Sequence, residues 1–318
     1  MASVWSAQAE DWQAVSQFSS FPFVPLSKLV NEEVEANRTP VQEIPSALAV
    51  ETLFFLPCQP ETAAKALLSW NPTSHKELSI LTHRSLQKPV KDEDFDALTL
   101  DPNRVEQRWL IEADKNFRPF HLSKQEIERL MQAGDQPSAV VAAWKAVLKG
   151  RATAYQEKGV AGLEPYEKEH FAPQAEMPKL LQQLPKVEAR FKTLLAAVWN
   201  PAEGAGDAFS SADYWENMKV DKHAAFLLGR VVAMRIEGRW QVADFQYYVS
   251  SEYNQSLILY EIWPASFQGT SGSLVWRGDY VLSPSLAYAH GMERMFSENV
   301  FLQEVKKAIG FFRRDLAK

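Results

Sequence analysis

The sequence predicts an α+β fold, in which a curved antiparallel sheet packs on a long C-terminal helix and an additional helical segment occupies the middle of the chain. Three observations carry this. Between Leu227 and Leu282, strand-like runs follow one another through short Gly- or Asn-bearing connections, the pattern of antiparallel neighbours. From Ser285 to Leu316, apolar residues recur at helical spacing. Between Ser123 and Trp199, further segments show the same period, each opened or closed by a capping or breaking residue.

In chain order, residues 1 to about 48 read as a lead-in that wraps over the body. Phe21-Pro22-Phe23-Val24-Pro25 is held extended by its prolines, Leu29 to Glu35 suits a short helix, and Thr39-Pro40 and Ile44-Pro45 interrupt the chain again. Residues 49–318 read as a single α+β domain, with a possible division near 200–212. Val50 to Leu56 is a strongly apolar strand. Pro60 to Trp70 is a helix with Ala63, Ala64, Leu67, Leu68 and Trp70 on one face, ended by Asn71-Pro72. Glu77 to Ser85 alternates as a strand, and Arg108 to Ala113 is a further short strand candidate through Trp109 and Ile111.

Ser123 and Glu126 have the spacing of a capping box, and that helix runs to about Gln132 before Gly134. Ser138 is the expected cap of a second helix reaching Tyr155, and Pro185 to Trp199 forms a third, with Val187, Phe191, Leu194, Leu195 and Val198 on one face. Asn200 to Ser211 is a loop of small residues. Leu227 to Ile236, Gln241 to Ser250, Ser256 to Trp263 and Ser273 to Leu282 are then strands of a meander, with Gly238-Arg239 at its first turn. Met292, Met295, Phe296, Leu302, Val305, Ile309, Phe312 and Leu316 form the stripe of the last helix.

This order of elements, from Val50 to Leu316, resembles that of the START-like helix-grip proteins. The resemblance implies a space between sheet and C-terminal helix that carries lipids or other hydrophobic molecules.

Composition narrows the function. The 318 residues are 46% hydrophobic, with 10 Trp and 18 Phe, enough to fill a wide core or line an apolar pocket. A net charge of −6 with no basic cluster is a poor match to a phosphate backbone, so nucleic acid is not expected as a partner. No run of 18 apolar residues exists to span a bilayer. Cys58, the one cysteine, lies beside Phe54-Phe55-Leu56 and reads as a half-buried, inert thiol. Ala7-Gln8-Ala9 fits the small-x-small pattern before a signal-peptidase cut, which points to a periplasmic or otherwise exported protein, although the charged and apolar stretches that should precede it are missing; a cytoplasmic location is the alternative.

Motifs for phosphate loops, dinucleotides and zinc proteases are missing, so no cofactor or metal is expected. Gly269-Thr270-Ser271-Gly272-Ser273 resembles a nucleophile elbow but lies between strands and reads as a hairpin loop. His290 and Glu293 share a helix face at i and i+3, a spacing able to exchange a proton, with a local polar network around Arg294 as the plainer reading. Arg277 and Asp279 point to one face of their strand between Val275 and Val281. Such mixed faces usually look outward, but a buried pair could recognise the polar head of a ligand. Tyr248 and Tyr260 belong to a tyrosine- and glutamine-rich set with Gln246, Tyr253, Asn254 and Gln255. Such side chains suit an amphipathic pocket, a protein contact face or an ordinary sheet surface.

The function expected from these features is non-enzymatic binding of a hydrophobic or amphipathic small molecule through Tyr248, Tyr260, Arg277, Asp279, His290 and Glu293. The alternatives are a hydrolase- or cyclase-like enzyme using His290 and Glu293, and an envelope-associated interaction module using the tyrosine-rich sheet.

Overall fold

In the computed structural model, which describes residues 11–41, 43–111, 120–167, 171–201, 209–220, 222–289 and 292–317, one antiparallel sheet of eight strands organises the chain. Its strands are β1 (Glu35–Arg38), β2 (Ala47–Leu56), β3 (Ile80–Leu86), β4 (Phe209–Val220), β5 (His223–Ile236), β6 (Arg239–Val249), β7 (Gln255–Phe267) and β8 (Thr270–Leu282), in the spatial order β1-β2-β8-β7-β6-β5-β4-β3. The sheet curves without closing. From β3 to β8 it is a meander in sequence order. β2 lies beyond β8, pairing Ala47 with Leu282 and Leu56 with Ser273, and β1 forms the edge outside it. The two tight hairpins have the turn chemistry they require: Glu237-Gly238 and Gln268-Gly269 both take positive φ at successive residues, which matches the right-handed twist of the flanking strands.

The helices longer than four residues are α1 (Pro60–Ser69), α2 (Val105–Ile111), α3 (Lys124–Ala133), α4 (Pro137–Lys158), α5 (Pro173–Gln182), α6 (Pro185–Trp199), α7 (Pro284–Tyr288) and α8 (Met292–Leu316). They cover both faces of the sheet, and every residue of β2 is buried, as a strand with apolar layers on either side must be. Helices α2 to α6 lie on one face. Their core includes Trp144, Tyr155 and Phe191 against Trp215, Phe245, Trp263 and Trp276 of the strands. Indole N–H groups there reach acceptors: Trp144 donates to the Leu110 carbonyl, Trp215 to that of Asp94, and Trp276 to the Glu51 carboxylate. The lead-in enters this layer through Phe18, edge-on to Trp276 at 5.0 Å, and through Ser20, whose N–H and hydroxyl both donate to Glu51.

The other face carries α1 and the long α8. Their core includes Ala63 and Ala64 of α1, Val305, Ile309 and Phe312 of α8, and Val50, Phe54, Val231, Val242 and Ile262 of the sheet. α8 is fastened near both ends. Arg294 donates to the carbonyls of Pro45 and Ala47. Near the C-terminus, Asp315 accepts from Trp70 Nε1 at 2.9 Å and lies 2.7 Å from His75 Nε2, while Arg313 donates to the Phe55 carbonyl.

The fold class is as the sequence predicts, and the capping box is formed by Ser123 and Glu126 as expected. Several elements differ. Residues from Arg108 on begin no strand: α2 runs through them to Ile111, burying Gln107, Leu110 and Ile111 on one side, because a short apolar run fits either period and here the helical one meets the core. The short helix expected over Leu29 to Glu35 is displaced to Leu26–Leu29; Glu32 then takes a left-handed φ of 67° and the chain enters β1. Ser79 is likewise left-handed, so β3 starts at Ile80 after a 3-10 turn. Pro137, at the first turn of α4, starts that helix ahead of Ser138. β4 occupies a stretch assigned to no strand by its sequence. Ala7-Gln8-Ala9 and residues 202–208 lie outside the described residues. Among the described residues, no helix is long and apolar enough to cross a membrane.

Candidate functional site

A cavity of about 1310 Å³ lies between the sheet and its α1/α8 layer. Alternation along the strands sets its floor, since every second side chain points into it. The strands contribute His83 from β3, Tyr214 and Glu216 from β4, Asp244 and Gln246 from β6, Ile258 and Tyr260 from β7, and Arg277, Asp279 and Val281 from β8. The roof and walls are largely apolar: Leu67, Leu68 and Trp70 at the end of α1, Val300, Phe301 and Val305 of α8, and Leu48 of β2.

The polar floor is internally paired. Arg277 donates to Asp279 through two nitrogens, Nε at 2.8 Å and Nη2 at 2.5 Å, and its guanidinium lies 5.4 Å from the centre of the Tyr260 ring. Register explains the cluster, because Tyr260 sits directly opposite Arg277 across β7 and β8. This pair is buried, contrary to the outward-facing reading of its strand, since α1 and α8 cover what would otherwise be a solvated face. Each charge finds its partner there, which burial of an ion requires.

The second cluster spans β3, β4 and β6. Tyr214 donates to Asp244 Oδ1 at 2.7 Å, and its ring stacks on His83 at 5.1 Å. His83 Nδ1 lies 2.8 Å from Glu216 Oε1, and Tyr253 donates to Gln246 Oε1 at 2.7 Å. Tyr214 reaches Asp244 by crossing over β5, and it can do so because the residue beneath it is Gly229. A Cβ there would lie only 2.3 Å from Cζ and 2.4 Å from Oη of Tyr214. Burial pushes the Asp244 carboxyl up to about 7; the Tyr214 hydrogen bond opposes this, and the nearby Glu216 charge adds to it. Burial also raises the Tyr214 hydroxyl well above its ordinary range, with Asp244 contributing in the same direction, so Tyr214 stays a neutral donor. A carboxyl that changes charge near neutrality inside a cavity is a marker of functional sites.

Of the residues singled out in the sequence, the fold brings Tyr260, Arg277 and Asp279 together on this floor. Tyr248 is placed elsewhere. At the β5–β6 pairing, Leu228 faces Tyr248 and Gly229 faces Gln246, so Tyr247 is an extra residue. The bulge reverses the phase of the strand end. Tyr248 therefore lies in the opposite layer, under Arg151, whose guanidinium is 4.3 Å from its ring centre. Glu293 is exposed on α8, and His290 lies outside the described residues. Cys58 is half-buried, and burial raises its thiol above the usual range. Of Gly269 to Ser273, expected as a hairpin loop, only Gly269 lies in the β7–β8 turn, with Gln268; Thr270 to Ser273 are already paired residues of β8.

Sequence reasoning missed Tyr214, Glu216, Asp244 and Gly229. One signal was present: Asp244 interrupts the apolar stretch Val242-Ala243-Asp244-Phe245, where an unpaired carboxyl is costly. Tyr214 and Glu216 gave none, because β4 carries polar side chains on both faces: Asp213 pairs with Arg230 on the side opposite the cavity. Among the described residues, no group of three His, Cys, Asp or Glu has the geometry to hold a metal ion.

The chain matches no protein-family model, and comparisons with curated proteins and with solved structures give no match, so the START-like resemblance gains no support from them.

Proposed function

We propose that this protein binds an amphipathic small molecule in the cavity between the sheet and the α1/α8 layer. One observation carries the reading: the cavity combines an apolar roof with a floor of preformed polar pairs, at a volume slightly above the usual range for small-molecule sites. The apolar part of a ligand would lie against Leu67, Leu68, Phe301 and Val305, and its polar end against Tyr214–Asp244 and Arg277–Asp279. Tyr260 offers a flat apolar body between them. The pairs are held by strands on a sheet packed on both faces, so little ordering would be needed on binding.

The test is native mass spectrometry of protein purified without detergent, with organic extraction of anything released, followed by titration with an environment-sensitive apolar dye. A stoichiometric adduct, or dye binding that is lost on replacing Val305 with Trp, is the expected result. A clean apo mass together with a dye that finds no saturable site would refute the proposal.

A further inference from the structure

We infer that the polar end of the ligand is cationic, a protonated amine on an apolar body; this rests on the cavity being a binding site, as proposed above. The first argument is charge. Glu216, Asp244 and Asp279 bring three carboxyls to the floor, against the guanidinium of Arg277 and the imidazole of His83. Arg277 is committed: two of its nitrogens are already on Asp279, so an anionic ligand would have to break a buried bidentate pair to use it.

The second argument is hydrogen-bond polarity. The Tyr214 and Tyr253 hydroxyls spend their protons on Asp244 and Gln246, which leaves their oxygens as acceptors. A His83 that donates from Nδ1 to Glu216 presents Nε2 as an acceptor too. These groups present acceptors, and an ammonium group supplies up to three donors to meet them. Third, the Tyr260 ring on the floor carries the negative face potential that attracts cations, as the Arg277 guanidinium 5.4 Å from its centre shows. The charge between Glu216 and Asp244, which disfavours the ionised carboxylate of Asp244, is what a bound cation would offset. The rim does not cancel this preference, since Glu77, Glu252 and Glu304 there are balanced by Arg84, Lys219 and Lys307.

The experiment compares decylamine, decanol and decanoate, which share an apolar tail and differ in head-group charge, by calorimetric titration of the full chain at pH 7.5 below micellar concentrations. Decylamine should bind tightest and decanoate weakest. Asp244→Asn and Glu216→Gln should each weaken decylamine by about tenfold while leaving decanol within about twofold, and retained decanol binding also shows that the variants are folded. Decanoate binding as well as decylamine, or decylamine affinity unmoved by both variants, overturns the inference while leaving the cavity reading intact. If none of the three binds, the cavity reading falls with it.

Discussion

Gly229→Ala tests whether the Tyr214–Asp244 contact depends on a missing side chain in the strand between them. The new Cβ would stand 2.3–2.6 Å from Cζ, Oη and Cε1 of Tyr214. Ordinary carbon contacts are about 3.5–4.0 Å, so the ring must move by about 1 Å or more. Such a shift stretches the 2.7 Å hydrogen bond to Asp244 past its useful range and disturbs the stack on His83. Overpacking costs about 1–3 kcal/mol and the lost hydrogen bond about 1 kcal/mol. Against this, replacing a strand glycine by alanine normally stabilises by about 0.4–1 kcal/mol through the unfolded chain. The net expectation is a loss of about 2–3 kcal/mol, a fall in Tm of about 3–5 °C for a chain of this size. Thermal and urea unfolding followed by circular dichroism would measure it, in the native background and with Tyr214→Ala. With the ring removed, the alanine should be neutral or stabilising. An equal cost in both backgrounds, or a more stable single variant, would refute the reasoning.

Three further outcomes are expected. The raised Asp244 carboxyl keeps a proton in the folded state that the unfolded state loses from about pH 4 upward, so its contribution to stability declines as pH rises from about 4 to about 7 and stays low above that; Asp244→Asn should gain stability relative to the native protein across that window in denaturant titrations at pH 5 and pH 8. Asp279→Ala strands a buried guanidinium and should cost about 3–5 kcal/mol, whereas the double variant Arg277→Met, Asp279→Val should cost far less by the same unfolding assay. Tyr248→Phe removes a buried hydroxyl that has no hydrogen-bond partner among the described residues, so unfolding should show no loss of stability, and because the side chain lies in the opposite layer, ligand affinity should be unchanged.

The sheet and last helix were legible because their periods are clean. Leu257 and Leu259 announce a strand, and Val305, Ile309 and Phe312 announce one side of a helix. Arg277 and Asp279 were legible as a pair, but not their burial, which depends on the distant Leu67 and Phe301 closing over them. Tyr248 was misplaced by the extra residue Tyr247, since a bulge shifts phase without leaving any mark in the alternation. Tyr214 and Gly229 are intelligible only together: the glycine looks like a weak point in an apolar strand until the ring that lies on it is seen.

The late pairing of β2 has a consequence for synthesis. Its ten residues, Ala47–Leu56, are made early, yet their partner across most of their length is β8, the last strand of the chain. At translation rates of about 5–20 residues per second, this largely apolar strand, interrupted only by Glu51 and Thr52, waits on the order of tens of seconds for that partner. Until then its only strand neighbour among the described residues is the four-residue β1. The nascent chain therefore offers chaperones one well-defined segment to hold, and the emergence of β8 is the event that frees it.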